Sequence, residues 1–197
     1  AQRGWQILGD IRSIYGSTVT VVGMGDIGSN FGRRLKAMGA TVRGVRRTLR
    51  EKPDWADQVY PVERLNEALA GADAVALCLP GTENTRSILG QAQFDAMAPG
   101  TYVINVGRGT AIDQQALDRA LRSGRLAGAA LDVATPEPLP QDHFLWDTPN
   151  LLLTPHVSGN MSLPRTCELV IEIFLRNLAH WEKGEPLEHQ VDRTQGY

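Results

Sequence analysis

Short apolar, β-branched runs alternate along the chain with segments whose apolar residues recur at helical spacing. The runs predict strands at residues 18–22, 41–45, 74–79, 102–106, 128–133 and 151–153. They are apolar on both faces, which is typical of parallel strands covered by helices on two sides. The alternation therefore predicts an α/β fold with a doubly wound parallel sheet and helices on both faces.

Three segments between the strands carry apolar residues on one helical face and end at a glycine. Their apolar positions are Ile27, Phe31, Leu35 and Met38 before Gly39, then Val62, Leu65 and Leu69 before Gly71, then Leu117 and Leu121 before Gly124. Asp113 is a candidate N-cap of the third helix. A longer segment, at about 163–183, is apolar enough to predict a helix that packs against something beyond this sheet.

Bulk properties narrow the classes of function. At 197 residues the chain predicts one full domain, and a net charge of −2 favours neither nucleic acid nor an anionic membrane as partner. No apolar run approaches the length of a membrane span, and no secretory leader opens the chain. Two cysteines far apart in sequence are typical of reduced thiols in a cytoplasmic protein. The first residue is Ala1 rather than Met, which is typical of a processed or cut chain.

A glycine fingerprint lies between the first predicted strand and the first predicted helix. Gly23 permits the tight turn, Gly25 lets the backbone approach a pyrophosphate, and Gly28 lets helix and strand pack closely. The helix N-terminus would offer free amides to the phosphates. The fingerprint covers Gly23, Met24, Gly25, Asp26, Ile27 and Gly28, and predicts a Rossmann-type dinucleotide-binding sheet.

The end of the second predicted strand indicates which dinucleotide is bound. The fingerprint expects an acidic residue there to hold the ribose hydroxyls, but the chain has Arg46, Arg47 and Thr48. A guanidinium can grip a 2′-phosphate, whereas a carboxylate would repel it. We therefore predict NADP as cofactor, with NAD as the second choice and a merely solvated basic loop as the alternative.

Three polar residues follow other predicted strands, where ligands collect in an open α/β sheet. They are Arg108 between two glycines, Asp132, and His156 behind a proline, with Glu137 in a proline-rich loop at 134–149. Together they offer a cation for a substrate carboxylate, a titratable acid/base and a carboxylate beside it. Each residue alone would more often be structural, and none of them suggests a metal site.

From about residue 5 to 197 the chain resembles the coenzyme domain of the D-isomer-specific 2-hydroxyacid dehydrogenases. The resemblance is carried by motifs that occur in the family's order. They are Gly23 to Gly28, Cys78-Leu79-Pro80 with Thr85, Asn105 to Gly109, Asp132 to Glu137, and Thr154 to Gly159.

The resemblance implies a role for each site residue. His156 would donate a proton when a 2-oxo acid is reduced, Glu137 would pair with it and favour its imidazolium form, and Arg108 would hold the substrate's carboxylate and carbonyl oxygen. Asp132 would lie near the nicotinamide. The remaining cofactor contacts would come from Leu79, Pro80, Thr85, Val106, Gly107, Arg108, His156 and Gly159.

The resemblance also implies parts that this chain lacks. Family members carry a substrate domain before the coenzyme domain, and residues 181–197 would return to it. The implied protein is an NADP-dependent reductase of small 2-oxo acids, of the glyoxylate or hydroxypyruvate type, dimeric through this domain and inactive as this piece alone. A dinucleotide-sensing protein of the corepressor type, or a family member that uses formate or phosphite, stays open as an alternative.

Overall fold

The computed structural model describes residues 12–48, 51–159 and 164–193. Seven parallel strands form one sheet in the order β3-β2-β1-β4-β5-β6-β7. The strands are β1 (Thr18–Val22), β2 (Thr41–Arg46), β3 (Gln58–Pro61), β4 (Ala74–Leu77), β5 (Thr101–Asn105), β6 (Leu126–Leu131) and β7 (Leu151–Leu153). The helices are α1 (Asp26–Ala37), α2 (Leu65–Leu69), α3 (Gln91–Ala96), α4 (Gln114–Arg122) and α5 (Pro164–Lys183). The predicted α/β fold with a doubly wound parallel sheet is confirmed.

All six predicted strands are present; two have the predicted ends, and the ends of the other four differ by one or two residues. The predictions missed β3 and α3. The first is four residues long and ends in Pro61, and the second has only six residues. Neither is long enough to show a clear period, so tertiary contacts decide both. Asp113 does cap α4, because its carboxylate accepts hydrogen bonds from the backbone N–H groups of Gln115 and Ala116, both at 3.0 Å.

The sheet separates two apolar clusters. Leu35 of α1 and Trp55 pack with Val19, Val21 and Val42 on one face. The buried residues of α2, α3 and α4 pack on the other face with Val22, Val75 and Val103. Alternate residues of β1 therefore serve opposite faces, which explains why the run is apolar throughout.

The apolar stripe predicted for α1 was wrong at both ends. Leu35 is buried, but Ile27 and Met38 are 57% and 53% exposed. The helix instead approaches the rest of the fold through two buried glycines, because a Cβ at Gly32 would collide with the ring of Trp55. Close helix contact through glycine leaves no place for a wide apolar stripe.

Helix α5 stands apart from the core, and none of its residues is buried. Its side chains Phe174 and Trp181 are 63% and 71% exposed. Part of the sheet is also open, since Leu152 of β7 is 63% exposed and Tyr102 of β5 is 43% exposed. Within the described ranges, no helix combines the length and the apolar character that crossing a membrane requires.

Candidate functional site

The turn from β1 into α1 lies where the strand order reverses, between β1 and β4. Gly23 has φ +101°, a conformation that side-chain-bearing residues rarely adopt, and its N–H donates to the Val45 carbonyl at 2.9 Å. A Cβ on Gly28 would collide with the carbonyl oxygen of Gly23. A Cβ on Gly25 would meet nothing within 4 Å, so this glycine faces open space. The turn is thus closed towards the sheet and open towards a ligand.

A cavity of about 620 Å³ extends from this turn along the ends of β1, β2 and β4. Nine predicted cofactor residues line it: Gly23, Met24, Gly25, Arg46, Arg47, Thr48, Leu79, Pro80 and Thr85. Val62, Glu63, Asn84 and Ile88 also line it and were not predicted. Asp26, Ile27 and Gly28 begin α1 beside the cavity without lining it.

Arg46, the last residue of β2, makes one hydrogen bond to a neighbouring loop and lines the cavity. Arg46 donates from Nη2 to the Glu51 carbonyl at 2.9 Å, while its buried Nε has no hydrogen-bond partner in the described part of the chain. Arg47 and Thr48 are exposed on the same rim. Arg46 and Arg47 thus bring two guanidinium groups to one rim of the cavity, and guanidinium groups bind anions well.

The opposite wall of the cavity is shaped by Thr85 and Cys78. The Thr85 hydroxyl donates to the Pro80 carbonyl at 2.7 Å and accepts from the Thr82 N–H at 2.9 Å, so it braces the loop after β4. Cys78 is half-buried, and burial raises the pKa of its thiol to about 11. The group is therefore a neutral thiol at physiological pH, and it contributes shape rather than charge.

Arg108 is presented by a turn that Asn105 organises. The buried Asn105 donates from Nδ2 to the Arg108 carbonyl at 3.0 Å and accepts from the Gly107 N–H at 3.0 Å. Val106 begins this turn and donates from its N–H to the Leu77 carbonyl at 3.2 Å. Gly107 lies so close to Leu79 that a Cβ would come within 2.6 Å of the Leu79 carbonyl oxygen, which places the Arg108 turn beside the cofactor cavity. Sequence reasoning did not single out Asn105, although a buried polar residue at the end of an apolar strand could have indicated it.

His156 and Glu137 form a pair. The ring Nδ1 of His156 lies 2.8 Å from Oε2 of Glu137, and the Ala134 N–H donates to Oε1 of the same carboxylate at 2.9 Å. Burial by itself would raise the pKa of Glu137, but the hydrogen bonds from His156 and Ala134 and the charge of Arg108 lower it on balance. Glu137 is therefore a carboxylate at neutral pH. With Nδ1 engaged, proton exchange with a ligand falls to Nε2.

Asp132 holds the turn that carries His156. Its carboxylate is 6% exposed and accepts from Thr154 Oγ1 at 2.5 Å, Val157 N–H at 3.0 Å, Ser158 N–H at 3.0 Å and Ser158 Oγ at 2.6 Å. Burial opposes ionisation, yet the bonds from Ser158, Thr154 and Val157 bring the Asp132 pKa well below its usual range. His156 has φ +54°, a strained value for a non-glycine residue, so the turn needs such an anchor. The predicted place of Asp132 beside a nicotinamide stays a prediction.

A second, largely apolar cavity of about 720 Å³ adjoins this pair, and its lining includes Glu137, His156, Leu139, Trp146 and Leu153. Gly159 is exposed at the end of the described turn and lines neither cavity. Among the residues that the structure describes, no cluster of three or more His, Cys, Asp or Glu side chains could hold a metal ion.

Proteins of similar sequence and similar structure are known. The salmonella protein "Glyoxylate/hydroxypyruvate reductase A" (Salmonella typhi) is 34% identical over 180 residues, which are 91% of this chain and 56% of that protein. A D-isomer specific 2-hydroxyacid dehydrogenase family protein from Aeromonas salmonicida superposes with a TM-score of 0.86 at 40% identity, over 96% of this chain and 59% of that one. An NADPH-dependent glyoxylate/hydroxypyruvate reductase from Sinorhizobium meliloti was solved with NADP and sulfate. It superposes with a TM-score of 0.87 at 33% identity, over 98% of this chain and 60% of that one.

The chain spans a little over half the length of the curated relatives that it matches. Residues 1–158 match the family model described as "D-isomer specific 2-hydroxyacid dehydrogenase, NAD binding domain". This match covers most of the chain, including the glycine turn and the Asp132, Glu137 and His156 positions. The chain therefore belongs to the D-isomer specific 2-hydroxyacid dehydrogenase family.

Proposed function

We propose that this chain binds NADP and forms the coenzyme side of an active site that reduces small 2-oxo acids of the glyoxylate or hydroxypyruvate type. The observation that carries the proposal is the 2.8 Å contact between His156 Nδ1 and Glu137 Oε2 at the carboxyl ends of the strands. Arg108 lies close enough for its charge to act on Glu137. The relatives named as glyoxylate/hydroxypyruvate reductases support the choice of substrate.

The residues of the first cavity fit a dinucleotide. The open face of Gly25 suits the pyrophosphate, and the N-terminus of α1 behind it offers backbone N–H groups. Arg46, Arg47 and Thr48 at the rim suit the 2′-phosphate that distinguishes NADP from NAD. Leu79 and Pro80 form an apolar wall that leads from the cavity towards the Arg108 turn.

Each polar residue then has a defined task. The nicotinamide, when bound, supplies the hydride. Arg108 binds the substrate's carboxylate and polarises its carbonyl oxygen, which favours the negative charge that develops there. His156 donates the proton from Nε2 to that oxygen, so that the carbonyl becomes a hydroxyl. Glu137 orients the ring through Nδ1 and stabilises its positive charge before the proton leaves.

The exposed helix α5 supports a further part of the proposal. In this proposal the family resemblance makes residues 181–197 the segment that leads to a substrate domain of the full-length protein, and that domain or a second subunit would cover the exposed apolar side chains of α5. Trp146, which is 54% exposed, provides apolar surface for a homodimer through this domain. Both statements extend the family resemblance.

The test mixes the full-length protein with NADPH or NADH and with either glyoxylate or hydroxypyruvate. The reaction is measured by the loss of the reduced nicotinamide absorbance. We expect turnover with both acids and a preference for NADPH. Tight NADPH binding without turnover would support a dinucleotide-sensing protein instead, and reduction of NADP by formate or phosphite would indicate a different donor.

The 197-residue chain gives a second arm of the test. It should bind NADPH yet turn over 2-oxo acids barely or not at all, because it spans a little over half the length of its relatives and the family resemblance assigns the other side of the crevice, which helps to orient the substrate, to the substrate domain. Such positioning contributes about 7–11 kcal/mol to catalysis. Robust reductase activity of this chain alone would show that the substrate is held elsewhere.

A further inference from the structure

The loop that carries Glu137 is tied to α4 by one side chain. Gln114, the first residue of α4, donates from Nε2 to the Thr135 carbonyl at 2.7 Å and accepts from the Thr135 N–H at 2.8 Å. A side-chain amide thus replaces the pairing that a neighbouring strand would provide. The loop itself is exposed from Thr135 to Pro138, so its own packing cannot fix its position.

The tie lies directly upstream of the Glu137–His156 pair. Thr135 follows Ala134, whose N–H donates to Oε1 of Glu137 at 2.9 Å, and Oε2 of that carboxylate contacts His156. Glu137 therefore receives one hydrogen bond from the backbone that Gln114 fixes, and gives its other oxygen to the histidine.

The same segment contacts the turn that presents Arg108. Gly109 is buried against Ala134, and a Cβ on this glycine would collide with the Ala134 carbonyl oxygen. Since Gly109 directly follows Arg108, a shift of residues 134–135 would displace both the Arg108 turn and the Glu137 carboxylate. The Asp113 cap gives Gln114 a rigid base, because it fixes the first turn of α4.

We propose that Gln114 is a positioning residue that holds the Glu137 carboxylate against His156 while the Gly109–Ala134 contact keeps that pair in register with Arg108. Gln114 touches neither of the two catalytic side chains; it acts through the backbone of Thr135 and Ala134. The catalytic consequence rests on the proposed function, but the geometric effect on His156 does not.

The decisive measurement is the NMR chemical shift of the His156 ring nitrogens in the 197-residue chain at neutral pH, without substrate. The signal is assigned by its loss in His156→Asn. Glu137→Gln should change these chemical shifts, because Nδ1 loses its charged carboxylate partner. Gln114→Ala should change them in the same direction, by a smaller amount.

Gln115 provides the matched control, since it is the next residue of α4 and is exposed, and the structure records no hydrogen bond from its side chain in the described part of the chain. Gln115→Ala should leave the His156 chemical shifts unchanged. If Gln114→Ala lowers the temperature of unfolding but leaves the His156 chemical shifts at their wild-type values, Gln114 is merely structural and the proposal is wrong.

Two further measurements separate the possible failures. Gln114→Glu keeps the acceptor for the Thr135 N–H but loses the donor to its carbonyl, so a smaller shift is expected even if Gln114→Ala does not fold. In the full-length protein, kcat/KM at neutral pH should fall roughly 3- to 10-fold, because the proton donor is less well oriented, with the Kd for NADPH unchanged. Wild-type protein without turnover would refute the proposed function, yet the His156 chemical shifts would still decide the role of Gln114.

Discussion

Replacement of Arg46 by Asp tests the source of the cofactor preference. Arg46 lines the cofactor cavity and gives one Nη2 hydrogen bond to the Glu51 carbonyl, so its guanidinium has further N–H donors that can bind a phosphate oxygen. A hydrogen bond to a charged group contributes about 1.5–3 kcal/mol. Loss of that bond alone should weaken NADP binding by roughly 10- to 150-fold. The new carboxylate also repels the 2′-phosphate and can accept from ribose hydroxyls, so the preference should move towards NAD.

The assay is a titration of NADPH and NADH into wild type, Arg46→Ala and Arg46→Asp at moderate salt. Arg33→Asp is the matched control, because Arg33 is exposed on α1 and does not line the cavity. It should change both affinities little, since a distant surface charge is screened. Equal affinity of wild type for the two cofactors, or an equal loss of both in Arg46→Asp, would refute a phosphate-binding role and leave a solvated basic loop.

Three other predictions concern the proton donor, its anchor and the glycine turn. His156→Asn in the full-length protein should lower kcat by roughly 10²–10⁴-fold with little change in the Kd for NADPH, and near-wild-type turnover would remove His156 from the mechanism. Asp132→Asn should lower the free energy of unfolding by about 1–3 kcal/mol in neutral denaturant titrations, because the donors around it lose a charged acceptor. The folded-state pKa of Asp132 lies below its ordinary value of 3.8. The ionised carboxylate therefore contributes fully to the free energy of unfolding above pH 3.8, and this contribution is lost as the pH falls further. The difference between variant and wild type should therefore narrow in acid, and an unchanged difference would contradict the role of the charge. Gly28→Ala should destabilise the fold by about 1–3 kcal/mol through its collision with the β1–α1 turn. Gly25→Ala should leave stability unchanged and weaken NADPH binding, and equal effects of the two substitutions would show that the turn is purely structural.

The sequence by itself was sufficient for six of the seven strands and for the family. Strands such as β1 are buried on both faces, and such burial requires an unbroken apolar, β-branched run that can be recognised in the sequence alone. The glycine turn was equally readable, because backbone conformation and close approach demand glycine at Gly23 and Gly28. His156 and Glu137 were paired through the family resemblance, since 19 residues separate them and local patterning cannot join them.

Only the tertiary structure decided how the site is held together. Gln114 and Asp132 act through hydrogen bonds to backbone groups that lie 21 to 26 residues away in sequence, and no periodicity records such contacts. Asn105 organises its own turn through bonds to Gly107 and Arg108, and its burial at the end of β5 is decided by the fold. The same holds for the short elements β3 and α3 and for the exposed ends of α1. In each case the decisive term is a contact between segments brought together by folding, whereas the sequence pattern reports only whether a position is apolar and how often such positions recur.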